Sequence, residues 1–448
     1  MRVLLLNPPA NGIVFRDGYC SSSSKSGYVW HPLDLLVQSG IISHHGHDVA
    51  WLDSIGLGLN PTQVLNRIEA FNPDAVLALA GDASWPNDVR FLRRLGARGL
   101  APKLILSGDV PRFEPERTFR EIPYAEAILA DFTSTGALNH WMGERSTPGL
   151  IDRALTHHDN PGKQWTGGMA RHDLIATDRY QLPFHAGRPF GSVLLNYGCP
   201  FACNFCNTGE IPYKLRDIDE ALAELRKVHQ MGLKAAYIRD ATANGKRSHW
   251  LAFCKALAKE DLNLMWNVFC TFQPFDAELA QAMAKAGCTV VQFGFETADQ
   301  ALRAETGKAF ANEAAEAAVR YCHEAGIRVC GHFVLGLPGQ SPAEIRASGA
   351  FARHLDLDYA SFNLATARPG TELRAWLDGD ESTGGDASVG GYEGGFTALS
   401  TTDLQRMRRE AIIRFYLRPR PLKAIMNDTS PSSWRHLATT MRAFSRAF

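Results

Sequence analysis

Gly198-Cys199-Pro200-Phe201-Ala202-Cys203-Asn204-Phe205-Cys206-Asn207 decides how the rest of the chain reads. Three cysteines stand at C-x3-C-x2-C spacing. The apolar run Val193-Leu194-Leu195 before them has the character of a short buried strand. Gly198 and Pro200 then break it into a loop. Three thiols therefore share one loop at a strand end. Thiolates are soft ligands, suited to zinc or iron–sulfur. Structural zinc and fully protein-ligated clusters both want four ligands. A [4Fe–4S] cluster held by three keeps one iron open for a small chelating molecule. Three buried or zinc-binding cysteines are the bland alternative.

Downstream of this loop, strands and helices alternate. Strands are expected at 235–239, 264–270, 289–295, 328–335 and 359–364. Helices are expected at 219–230, 250–259, 277–286, 311–325 and 342–354. That makes six βα units, an open, partial TIM-type barrel, whose catalytic groups gather at the strand C-termini. Asp240, Glu296-Thr297 and Gly336-Leu337-Pro338-Gly339 all fall there. Asp240 alternatively reads as the N-cap of the next helix.

Upstream, residues 1–145 also alternate, with short apolar strands at 3–6, 48–53, 75–80, 103–107 and 125–130. This predicts a doubly wound, flavodoxin- or Rossmann-like α/β domain with a parallel sheet. Ligands on such sheets bind at the strand C-termini. A polar and aromatic insert, Tyr19–His31, joins the first strand to the first helix at that edge. It suits a polyol or aryl substrate, or it is a mobile polar loop. Residues 146–185 read as an irregular linker, with Asn160-Pro161-Gly162 and Thr166-Gly167-Gly168. The expected division is 1–145, linker 146–185, core 186–375, and a loop and helical C-terminal region 376–448. In the last part, 379–395 reads as a loop and 402–416 as an amphipathic helix covering the barrel.

The chain has 448 residues, more than one ordinary domain. Lys+Arg and Asp+Glu are both 47, so no basic face for nucleic acid is expected. No apolar run reaches the length of a membrane span, and the start lacks a signal peptide's cleavage site. Six of the nine cysteines are scattered, most in apolar contexts, as reduced core thiols of a cytoplasmic protein are.

The cysteine loop, with Phe205 before its last cysteine, resembles the signature of the radical SAM enzymes. Gly294-Phe295-Glu296-Thr297, Val334-Leu335-Gly336-Leu337-Pro338-Gly339 and Arg368-Pro369-Gly370-Thr371-Glu372-Leu373 match further core motifs. The N-terminal half is similar to the cobalamin-binding-type domain of one subgroup, through Asn7-Pro8-Pro9, Gly46-His47-Asp48-Val49, Asp53 and Ser107-Gly108. The resemblance implies a [4Fe–4S] cluster on Cys199, Cys203 and Cys206. It also implies S-adenosylmethionine (SAM) near Phe205, Asn207, Glu296, Thr297, Gly336, Leu337 and Pro338, with Asp240 and Glu296 as catalytic acids. A small-molecule substrate and a flavodoxin- or ferredoxin-type electron donor follow. Two departures bear on cobalamin. Asp109 stands where relatives carry a second glycine, and Ala130-Asp131-Phe132 replaces a Gly-Glu pair. The expected function is therefore hydrogen abstraction from a natural-product or sugar-like molecule, leading to elimination, dehydration or rearrangement. The alternative is a cobalamin-dependent C-methyltransferase. A third class is a non-catalytic relic or electron carrier, which predicts loss of the SAM-facing motifs.

Overall fold

The computed structural model describes residues 1–24, 28–158, 165, 167–175, 179–185, 188–378 and 396–428. Asn160-Pro161-Gly162, Thr166 and the 379–395 loop lie outside them.

Two parallel sheets organise the chain. The first begins with Arg2–Asn7, which pairs with Asp48–Asp53 on one side and Ala75–Leu79 on the other. Leu104–Ser107 and Ala127–Leu129 continue it, all parallel. Val3 and Leu5 pack under the helix Leu33–His44, while Leu4 and Leu6 face the helices Pro61–Phe71 and Trp85–Ala97. Apolar residues on both faces are what a sheet covered twice demands. The helix starts are set locally. Asn60 and Gln63 form a capping box before Pro61–Phe71, and Ser341 with Glu344 does the same before Pro342–His354. The sheet runs beyond the boundary expected at residue 145. Leu150–Asp152 pairs antiparallel with Ala127–Leu129, and His157–His158 pairs with it in turn. Thr147-Pro148-Gly149 thus leads from the helix Gly136–Trp141 into the strand Leu150–Asp152 of the sheet. Leu150 and Ile151 are buried, which the flanking turn residues obscured.

In strand order the first strand lies between the second and third, so the chain reverses direction across the sheet there. Ligands of open α/β sheets sit at such a switch point. Here a guanidinium fills it. Arg16 donates from Nε to Asp88 and Ser84, and from Nη1 to Asn7 and the carbonyl of Pro8. Its Nη2 meets Asp88 at 2.6 Å, with both side chains fully buried. Removing one partner of a buried pair strands the other charge, at a cost of about 3–5 kcal/mol. Asp88→Ala is therefore expected to lower the thermal midpoint and to speed proteolysis of the N-terminal half. Unchanged midpoint and protease resistance would contradict this.

The second sheet has six parallel strands in sequence order: Phe190–Val193, Ala235–Ile238, Met265–Cys270, Cys288–Glu296, Arg328–Leu335 and Tyr359–Leu364. Alternate residues such as Trp266, Val291, Phe333 and Phe362 face the outer helices in one large core. The intervening residues face inward. Val290, Cys330 and Tyr359 close the barrel bottom together with Phe184 and Ala424. Leu404, Met407, Ala411 and Phe415 of helix Thr401–Tyr416 cover the outer face, as their spacing predicts. A last helix, Pro419–Asp428, reaches the barrel bottom, where the Asp428 carboxylate takes Arg328 at 2.5 Å and the Tyr359 hydroxyl. Cys254, Cys270, Cys288, Cys322 and Cys330 are buried thiols.

Candidate active site

The strand Phe190–Val193 delivers the chain to the cysteine loop. Asp240 governs the exit. Its Oδ1 accepts from the backbone N–H groups of Leu195 and Asn196, at 2.7 and 2.9 Å. It is 0 % exposed, and burial pushes its pKa up to about 7. Asp240 is thus not a helix N-cap; through Oδ1 it fixes the backbone that enters the loop, while its Oδ2 is buried with no hydrogen-bond partner among the described residues. Gly198 follows at φ +74°, where a Cβ would lie 2.6 Å from the carbonyl oxygen of Ile211. Only glycine makes this turn without strain.

The loop is braced from the far side. Asn204 N–H donates to Thr306 O at 3.1 Å, and Gly307 leaves no room for a Cβ above Ala202 O. Cys199, Cys203 and Cys206 are free thiols, each half-buried. Thr242 Oγ1 lies 3.4 Å from Cys199 Sγ. Burial pushes Cys203 up to about 12, while the Lys308 ammonium pulls it back. Cys206 and Cys199 both act on Cys203, so the three thiols lie within reach of one another's charge. A cationic group over them would reverse that logic and favour thiolates. Three soft donors on one braced, partly open loop fit an iron–sulfur cluster with a spare coordination site.

Glu296 ends the strand Cys288–Glu296 in the left-handed region, at φ +59°. Such a conformation in a non-glycine residue stores strain and marks functional positions. Its Oε1 accepts from Lys308 Nζ at 2.7 Å. Burial opposes the Lys308 charge, but Glu296 and the thiols of Cys203 and Cys206 outweigh it and hold the ammonium above its usual range. Gly294 makes the pair possible, since a Cβ there would lie 2.4 Å from Lys308 Nζ. Glu296, Lys308 and the cysteines therefore share one mouth. Phe205 and Leu337 join an apolar cluster beside it with Val334 and Leu373. Gly336, at φ +83°, turns the chain, and its N–H donates to Gln340 Oε1. Thr297 is occupied elsewhere: its Oγ1 accepts from Gln340 Nε2 and lies 3.3 Å from Ser348 Oγ. Asn207 donates to Pro369 O at 3.4 Å, tying the loop to the barrel-closing turn. Lys308 and Thr242 escaped the sequence reading. A lysine one residue after Gly307 carries no spacing signal.

Residues 193–352 match the Radical SAM superfamily. The core of this chain is a radical SAM domain. Over 451 aligned residues the chain is 24% identical to an uncharacterized methyltransferase of Pyrococcus horikoshii, covering 94% of each. It is 23% identical to an anaerobic magnesium-protoporphyrin IX monomethyl ester cyclase of Rubrivivax gelatinosus, over 83% of this chain and 69% of that one. The fold matches TsrM from Kitasatospora setae, a radical SAM methyltransferase with cobalamin and a [4Fe–4S] cluster bound. The TM-score is 0.64 at 19% identity, covering 83% of this chain and 73% of that one. The N-terminal sheet and the radical SAM barrel thus share the architecture of a cobalamin-binding radical SAM enzyme.

This chain's own strand ends, however, do not form a corrinoid cradle. A bulky macrocycle needs backbone and small residues facing an open cleft. Asp109, 1 % exposed, accepts from Ser21 N–H and Oγ and from Asp82 N–H. Ser21 also stands against Gly81, where a Cβ would meet its Cβ at 2.6 Å. Asp53 accepts from Asn7 and from Tyr180, the latter at 2.8 Å. Asp131 pairs with Lys214. Tyr19 sits between the rings of Phe132 and Tyr197, and its hydroxyl accepts from Gly198 N–H at the cysteine loop. The described part of the Tyr19–His31 insert thus packs between the sheet and the cysteine loop, through Ser21 on Asp109 and Tyr19 on Gly198. The crevice among Arg16, Asp17, Trp30, His31 and Arg239 has a cavity volume of only about 10 Å³, no more than a single water fills. Among the described residues, no helix is long and apolar enough to cross a membrane.

Proposed function

We propose that this radical SAM enzyme abstracts hydrogen from a small organic molecule seated in the barrel, and that the substrate radical then eliminates or rearranges without a corrinoid, the product radical being quenched by a second electron from the external donor and a proton. Cys199, Cys203 and Cys206 hold the cluster in this reading. Cluster and SAM together supply a 5′-deoxyadenosyl radical, given one electron from a flavodoxin- or ferredoxin-type donor. The chain's part is positioning, which converts a bimolecular encounter into a local one. Phe205 and Leu337 offer an apolar wall to adenosine. The turn at Gly336 and Pro338 sets that wall's edge. Glu296, held by Lys308, accepts from a ribose or substrate hydroxyl. Thr297 and Asn207 brace the two segments that carry these groups. Asp240 keeps the entry to the cysteine loop rigid. All nine cysteines are unbridged, which suits a reducing compartment, and we assign the enzyme to the cytoplasm.

The single observation that carries the corrinoid-free reading is Asp109 and Ser21 joined over the strand ends, with Tyr19 beneath the cysteine loop. A second reading, cobalamin-dependent C-methylation, is favoured by the Pyrococcus relative's name and by TsrM. It requires the segment from Tyr19 onward to leave the strand ends. Protein made anaerobically in cells supplied with cobalamin separates the two. The corrinoid-free reading expects substoichiometric corrinoid in the purified enzyme and no change in its Trp fluorescence on adding hydroxocobalamin. Stoichiometric corrinoid would decide for methyl transfer.

A further inference from the structure

TIM-type barrels fill their interior with layers of bulky, branched apolar side chains. This barrel does so only at its bottom. Beside and above that bottom, four adjacent strands contribute Asn267, level with Val290, Gln292, level with Cys330, and the level pair His332 and Ser361, and these join in a continuous hydrogen-bonded row. Gln292 Nε2 donates to Asn267 Oδ1 at 3.0 Å. Gln292 Oε1 meets His332 Nε2 at 3.1 Å, and Ser361 Oγ meets His332 Nδ1 at 2.7 Å. An amide oxygen only accepts, so the proton is on Nε2 and Nδ1 accepts from Ser361. Burial pushes His332 down to about 4, so the ring is neutral at pH 7. Asn363, exposed and one step nearer the mouth, donates to Ser361 Oγ at 3.2 Å.

Two residues further along the same strands come Phe269, Gly294, Val334 and Asn363, so the roof is open above Gln292 and polar above Ser361. His332 is level with Gly294, which has no side chain, and Glu296 lies two residues further along that strand. Two residues of strand span about 7 Å, room for one small molecule between the row and Glu296. Phe269, half-buried, leans on His332 with ring centroids 5.1 Å apart. At the far end, Asn267 Nδ2 is buried without an acceptor among the described residues. Buried amide donors are rarely left so, and each one calls for an explanation.

We propose that Asn267, Gln292, His332, Ser361 and Asn363 form the floor of the substrate site, and that the substrate is a hydroxyl-rich, sugar- or cyclitol-like molecule. This rests on the hydrogen-abstraction reading above and adds the substrate class to it. Hydroxyls both donate and accept, as a neutral row of amides, a hydroxyl and an imidazole requires. Of the cations near the mouth, Lys308 is paired with Glu296 and Arg239 with Asp17, while Arg368 donates to the carbonyl of Ser21.

The test uses the reconstituted protein with SAM and no reductant, so nothing turns over. Methyl α-glucoside, myo-inositol and maltose are compared with indole and benzoate by saturation-transfer NMR and calorimetry. At least one of the three hydroxylated probes is expected to bind. Asn363→Ala is expected to weaken it roughly tenfold, the size of a lost hydrogen bond in a desolvated site. SAM affinity should stay unchanged in that variant. His332→Gln, which keeps one polar end, gives a second reading of the same row. The inference is overturned if no hydroxylated probe binds, if indole or benzoate binds in their place, or if both variants bind the sugars as the wild type does. Such failure leaves SAM cleavage standing. Absence of 5′-deoxyadenosine from the reduced wild type would instead remove the underlying reading, whatever the sugars do.

Discussion

Cys203→Ala is expected to abolish the brown absorbance of the reconstituted protein together with all 5′-deoxyadenosine formation. Cys203 is the middle thiol of a loop fixed at both ends, by Asp240 before it and by Thr306 and Gly307 behind it. With Cys203 gone, two thiolates remain, too few to hold a cubane cluster. No other cysteine of the barrel replaces it. Cys254 and Cys288 lie in the outer core, and burial raises both thiols far above their ordinary range. Cys254→Ala should therefore leave iron content and SAM cleavage largely intact. Iron and labile sulfide analysis checks both variants. A full iron complement with SAM turnover in Cys203→Ala would remove these cysteines from the site.

The second large effect belongs to Glu296. Glu296→Gln keeps the shape but loses the charge that holds Lys308. The left-handed backbone at Glu296 already costs free energy that the surroundings offset, so the position is tightly determined. Misplacement of a group beside a reacting centre costs roughly 10²-fold in rate. Cluster content should stay normal while 5′-deoxyadenosine formation coupled to product falls by about that factor. Lys308→Met should reproduce the loss, because Glu296 then has no partner to aim it. Wild-type coupled turnover in either variant would take the pair out of the mechanism.

How far this was legible in the sequence depends on how local each signal is. The cysteine loop combines an apolar strand, Gly198, Pro200 and fixed spacing within fourteen residues, and the structure forms it as that pattern implies. The barrel strands read well because they are short and largely apolar, and three of them run up to Asp240, Glu296 and Gly336. The strands Leu150–Asp152 and His157–His158 did not, because two or three residues carry no period. Asp240 looks catalytic from its strand-end position, and the structure adds a second task, since its Oδ1 takes the N–H groups of Leu195 and Asn196, forty-odd residues away. The packing of the insert was hidden by the same kind of distance. Ser21 meets Asp109 across 88 residues, and Tyr19 meets Gly198 across 179. Asp109 stands out in the sequence as an acid at a strand end, but its partner Ser21 in the insert carries no local signal. The polar row escaped notice because each member sits alone on its own strand; Gln292 is level with Cys330 and reaches His332 only diagonally across the two strands.

The account stands or falls most directly on what becomes of SAM. A methyl group taken from SAM leaves S-adenosylhomocysteine, whereas radical formation leaves 5′-deoxyadenosine and methionine. The measurement is quantitative mass spectrometry of both nucleosides, from the reduced enzyme supplied with methyl-labelled SAM and a small-molecule extract of its native cells. The account predicts 5′-deoxyadenosine in step with product, no S-adenosylhomocysteine above the enzyme-free control, and no label in the product. S-adenosylhomocysteine formed in proportion to a labelled product would contradict it.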